Sequence, residues 1–178
     1  MRSFSISALL CGLTATSALG QTPPPAEYSA KAAFIYNFTR FVEWPPQAFS
    51  APSAPLNVCL LGDDPFGAHF DAIAGKRAQG RELTIKRLIS VGQIAPCHLL
   101  FISASEEKRL RQVLAPLKTQ AVLTVGDMDR FAENGGVVNM AVEGHRIAIE
   151  INLDAAARHG LGINANLLRL ARIVREKP

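Results

Sequence analysis

The sequence predicts an α/β domain: a mostly parallel sheet covered on both faces, with an antiparallel hairpin at its C-terminal margin. Three observations carry that expectation: several short continuous apolar runs, amphipathic stretches between them, and two alternating segments around Glu143-Gly144. Uninterrupted apolar runs suit strands buried on both faces, and helices between them supply the crossovers that parallel pairing requires. The 178 residues are 48% apolar and 19% charged, enough for one ordinary domain with a substantial core. The formal charge of +4 is scattered rather than gathered in a basic run, so nucleic acid is not an expected partner.

Residues 1–20 read as a cleaved signal peptide. Arg2 supplies a short positive start, Ile6 to Ala15 is an apolar stretch below membrane-spanning length, and Ala18-Leu19-Gly20 ends in a small-x-small pattern. A lipoprotein reading on Cys11 is disfavoured by the bulky Leu10 and the short run before it. Export is therefore expected. Cys59 and Cys97 then remain as an even pair in an oxidising compartment; a disulfide is one reading and two separate buried thiols the other.

Residues 21–27, with three consecutive prolines, read as an extended tether, and residues 28–178 as a single domain. Tyr28 to Val42 reads as a helix with Lys31, Asn37, Arg40 and Glu43 on a narrow polar side, stopped by Trp44-Pro45-Pro46. Its wide apolar face is ordinarily core. Phe38, Phe41 and Trp44 are also candidates for contact with a partner. Leu56 to Leu61 reads as a buried strand, followed by a helix from about Pro65 to Ala74 whose first turn Asp64 can cap.

Arg81 to Arg87 alternates as a strand with one wet face, and His98 to Ile102 is another short strand. A helix capped by Ser103 or Ser105 follows, with Leu110, Val113, Leu114 and Leu117 on its buried side. Ala121 to Val125 is a further strand, and Asp127 to Asn134 a short helix. Val137 to Val142 and His145 to Asn152 form the hairpin, Ile147, Ile149 and Ile151 sharing a face with His145. Asn164 to Arg175 is expected to be a helix with an apolar stripe at Leu167, Leu170, Ala171 and Val174 and with Arg169, Arg172 and Arg175 opposite.

No catalytic cluster emerges. Ser103 and Ser105 lie at a strand-to-helix junction but lack a GxSxG context and an assignable base, so both are taken as caps. The four histidines show no paired spacing for a metal, and no cofactor is implied. A small-molecule pocket at the strand ends would draw on Asp63, Asp64, Ser103 and Asp127. A partner surface would draw on the aromatic residues above together with His145, Arg146, Arg169 and Arg172, since arginine is enriched at interfaces.

In their order and spacing the segments resemble the YfiR family. The carriers are Tyr28 to Phe38 with Phe41-Val42-Glu43-Trp44-Pro45, then Gly62-Asp63-Asp64-Pro65-Phe66-Gly67, Gly75-Lys76, Gly80-Arg81 and Cys97 to Ser103. Val122 to Asp127, Phe131-Ala132, Gly135-Gly136, Glu150-Ile151-Asn152 and Gly160-Leu161-Gly162-Ile163 complete the series. Asn164-Ala165-Asn166 departs from the serine pair common in the family, which touches the cap of the last helix.

The resemblance implies a three-layer α/β/α fold that can dimerise, with Cys59 and Cys97 matching the family's structural disulfide. Some members carry a second cysteine pair near Phe131 to Met140; this chain lacks it, so any redox switch rests on one bridge. By resemblance the role is that of a periplasmic repressor. It would bind the periplasmic sensor region of a membrane diguanylate cyclase and be sequestered by an OmpA-like outer-membrane lipoprotein.

Overall fold

A computed structural model describes residues 25–94, 96–144 and 146–176. The expected signal peptide, most of the tether and His145 lie outside the described residues. In chain order the elements are α1 (Pro25–Phe41), β1 (Val42–Glu43), β2 (Leu56–Leu61), α2 (Ala68–Asp71), β3 (Arg77–Ala78), β4 (Arg81–Leu88), β5 (Leu99–Ile102) and α3 (Leu110–Leu114). There follow β6 (Leu123–Gly126), β7 (Val138–Glu143), β8 (Arg146–Asn152), α4 (Leu153–Arg158), β9 (Gly162–Ile163), α5 (Ala165–Leu168) and β10 (Ala171–Val174).

Eight strands form one sheet in the order β10-β8-β7-β6-β5-β2-β4-β3. Strands β4, β2, β5, β6 and β7 run parallel, β8 returns antiparallel to β7, and β10 lies parallel to β8. Side-chain alternation then sorts the central strands onto two cores. Leu56, Val58, Leu60, Leu99, Phe101, Leu123 and Val125 pack with Ile35 and Phe38 of α1 on one face. Cys59, Leu61, Leu100 and Ile102 pack with Leu110, Val113 and Leu114 of α3 on the other. That is the expected α/β sandwich, and each fully buried Leu or Phe contributes about 1.5–3 kcal/mol to it.

Helix α1 begins at Pro25, earlier than expected, because proline at a first helical position lacks only an N–H that would be unpaired anyway. Lys31, expected on the polar side, is 2% exposed. The helix after Asp64 is shorter than expected, Ala68–Asp71 within a run of turns, although Asp64 Oδ1 does accept from the Phe66 and Gly67 N–H groups. Neither Ser103 nor Ser105 caps the next segment: Ser103 makes no capping hydrogen bond, while Ser105 Oγ accepts from Asp63 N–H across the loop. Residues 127–134 form turns instead of a helix, interrupted where Arg130 takes φ +54°.

The largest departure is at the C-terminus. The expected helix over Asn164 to Arg175 is α5 followed by strand β10, which takes the open edge of β8 with Arg172 opposite Glu150. The hairpin is consequently internal, and β10 is the margin. Asn164 caps α5 through its side chain, which accepts from Asn166 N–H at 2.8 Å.

Candidate functional site

The cover of the α3 face stops after β6. None of the second core's apolar residues comes from β7, β8 or β10, and on that face these strands carry a polar row. The turn begins after Glu143, one residue later than the sequence predicts, and sets the register: Glu143, the last residue of β7, opposes Arg146, so Asn139 opposes Glu150, and β10 adds Arg172 beside Glu150. Asn139 is 1% exposed and Glu150 7%, both buried. Asn139 Nδ2 donates to Glu150 Oε2 at 2.9 Å, and Arg172 Nη2 donates to Glu150 Oε1. Asn139 Oδ1 receives no hydrogen bond, and leaving such a buried acceptor unpaired costs about 1–3 kcal/mol.

Over this row lies a cleft of about 370 Å³, closed on its far side by the turns 127–133. Asp127 enters it from the carboxyl end of β6. Its side chain is 4% exposed and accepts from Lys31 Nζ at 2.7 Å and from the Tyr28 hydroxyl at 3.0 Å. Burial, and after it the negative charge of Asp127, push the Tyr28 hydroxyl above its ordinary value, so it remains a donor.

The sequence-derived pocket residues are not gathered. Of Asp63, Asp64, Ser103 and Asp127, it is Asp127 that lines this cleft. Asp64 serves the loop after β2: burial opposes its ionisation, but Arg87 at 2.7 Å and two backbone N–H groups outweigh that and hold its carboxyl below the ordinary value. Ser103 is buried, and Asp63 is exposed with its N–H on Ser105.

The expected partner residues separate into three groups. Phe38 is wholly buried and Trp44 is 8% exposed, its Nε1–H donating to the His98 carbonyl at 3.0 Å, so both belong to the core and not to a surface. Phe41 is half-buried beside α5, whose Asn164 N–H donates to the Phe41 carbonyl. Arg169 is exposed just after α5. Arg146 and Arg172 converge on Glu143, at 3.3 and 3.4 Å. Leu170 is exposed beside them, and Val142 and Ile173, which alternation turns to the other face of the sheet, are exposed as well, so the β10 margin carries basic side chains on one face and apolar ones on both.

Neither Asn139 nor Glu150 is among the candidate site residues that the sequence suggests, although Glu150 belongs to a segment that carries the family resemblance. Counting outward from Glu143-Gly144 as the two turn residues sets Asn139 against Ala148; the strand instead runs on through Glu143, which opposes Arg146, and that shift of the turn by one residue is what brings Asn139 against Glu150.

A profile of the YfiR/HmsC-like family matches residues 28–172. The chain belongs to the YfiR/HmsC-like family. That family is regulatory rather than catalytic. Among solved structures, the ABC domain in complex with L-Trp from Streptococcus pneumonia is similar at 11% identity with a TM-score of 0.48. The match covers 67% of the YfiR/HmsC-like chain and 55% of that one. Within the described residues no helix is long and apolar enough to cross a membrane.

Proposed function

We propose that this chain is an exported regulator that represses a membrane-bound diguanylate cyclase by binding its periplasmic sensor region. Membership of the YfiR/HmsC-like family across residues 28–172 is the observation that carries this reading. The disulfide between Cys59 and Cys97 suits an oxidising compartment, and the mixed basic and apolar margin at β10 offers a docking surface of the composition that interfaces favour. An OmpA-like outer-membrane lipoprotein would compete for the regulator and release the cyclase.

The test measures cyclic di-GMP synthesis by the cyclase in membrane vesicles whose periplasmic face meets the purified regulator. Synthesis should fall with added regulator, and Leu170→Asp with Ile173→Asp should weaken that repression at least tenfold while leaving the unfolding midpoint within a few degrees. Unchanged synthesis, together with no binding to the isolated periplasmic region by calorimetry, overturns the reading.

A further inference from the structure

We propose that the cleft over β7, β8 and β10 is a binding site for a small organic cation bearing a primary ammonium or guanidinium group. This stands apart from the regulator reading, since it rests on the cleft's own chemistry. At its centre Asn139 is buried, with its amide nitrogen committed to Glu150 and its amide oxygen without a donor. Turning the amide over would bring oxygen against the Glu150 carboxylate, acceptor to acceptor, so the free acceptor stays where it is. A buried acceptor of this kind calls for a donor, N–H or O–H.

Charge narrows the choice. The cleft is lined by the carboxylates of Asp127, Asp129, Glu133 and Glu150 against the guanidiniums of Arg130 and Arg172; with Lys31, which Asp127 holds at 2.7 Å, four negative charges meet three positive ones. That excess repels anions, and a neutral molecule would gain nothing from it. Among the described residues no three of His, Cys, Asp and Glu converge as metal ligands, so the cation the cleft fits is one that hydrogen-bonds. Its volume of about 370 Å³ falls inside the range of roughly 300–1,000 Å³ usual for small-molecule sites.

Arg172 supplies the second observation. Its side chain is 60% exposed, yet its guanidinium docks on the nearly buried Glu150, which shows the chemistry this carboxylate accepts. Glu143 at 3.4 Å offers Arg172 another partner, so an incoming cation could take its place on Glu150 and reach the Asn139 oxygen. Arg172 is thus a resident competitor. Removing it should strengthen binding, an effect that damage to the fold cannot imitate.

The experiment titrates the purified chain with agmatine, putrescine, butan-1-ol and sodium acetate by calorimetry and by amide NMR. Agmatine and putrescine should bind with dissociation constants of about 1 mM or below, shifting the Asn139 side-chain amide, while the alcohol and acetate leave it unmoved. Arg172→Ala should tighten binding of both amines at least about fivefold, and Asn139→Leu should weaken it at least about tenfold. Three results overturn the proposal: no amine binding at about 10 mM, butan-1-ol binding as well as putrescine, or Arg172→Ala leaving affinity unchanged or lower.

Discussion

Lys31 and Asp127 lie 96 residues apart in the chain and meet at 2.7 Å, with 2% and 4% of their side chains exposed. The pair pins α1 to the carboxyl end of β6, and Glu27 at 2.5 Å and the Tyr28 hydroxyl complete it. Burying a charge is tolerable only with a partner in place, so each is indispensable to the other.

Lys31→Met should therefore destabilise the fold by about 3–5 kcal/mol, because it strands the Asp127 carboxylate. Lys31→Met combined with Asp127→Leu should recover part of that loss, since no buried charge is then left over. Urea unfolding of the two single variants and the double variant measures the coupling.

The ring of Phe131, wholly buried, fills the space above two glycines. A Cβ on Gly136 would come within 2.1 Å of Phe131 Cε1, and one on Gly126 within 2.6 Å of Cδ2. Gly136→Ala should cost about 1–3 kcal/mol or more, and Phe131→Leu should relieve much of it by removing the atoms in the way. Thermal unfolding of the single and double variants decides the matter; additive losses would show that the ring is not the obstacle.

The central strands were legible because Val58 to Leu61 and Leu99 to Ile102 are apolar on both sides of the pleat, a pattern that few alternatives share. The hairpin was legible from Glu143-Gly144. Lys31 was not, because periodicity assigns a lone lysine in an apolar helix to solvent and says nothing of an aspartate 96 residues away. The last element misled for a related reason. Leu167, Leu170, Ala171 and Val174 have helical spacing, but Ile173-Val174 is β-branched and the open edge of β8 supplied hydrogen-bonding partners that a local pattern cannot reveal. The cleft depends on that strand, since Arg172 reaches Glu150 only once β10 has joined the sheet.

Cys59 of β2 and Cys97, just before β5, are joined with their Cα atoms 6.0 Å apart, closing a separation of 38 residues. In the chain-entropy account a loop of that length is worth about 4 kcal/mol, so reduction should lower stability by roughly that amount while leaving the apolar second core in place. Non-reducing mass spectrometry should show a two-unit deficit, and urea unfolding with and without a phosphine reductant should show the difference in midpoint. Equal midpoints would mean that the bridge braces nothing.

Stability should also fall on mild acidification. His98 Nδ1 accepts from the Asn57 N–H at 2.9 Å, which leaves Nε2–H to donate to the Ala48 carbonyl at 3.0 Å. A second proton would set Nδ1–H against the Asn57 N–H, two donors facing each other. Burial pushes the His98 imidazole below its ordinary value of 6.5, and burial does the same to His159, whose Nδ1 lies 2.8 Å from the Gln120 carbonyl. With both values depressed on folding, the unfolded chain binds the extra protons. Their contribution is complete above about pH 7 and drains away as the pH falls through 6.5, by at most about 1.4 kcal/mol per pH unit for each site. Urea unfolding between pH 8 and pH 5 should show a plateau and then a decline, and His98→Asn with His159→Asn should flatten the decline. A wild-type chain as stable at pH 5 as at pH 8 would contradict the neutral, hydrogen-bonded placement of both rings.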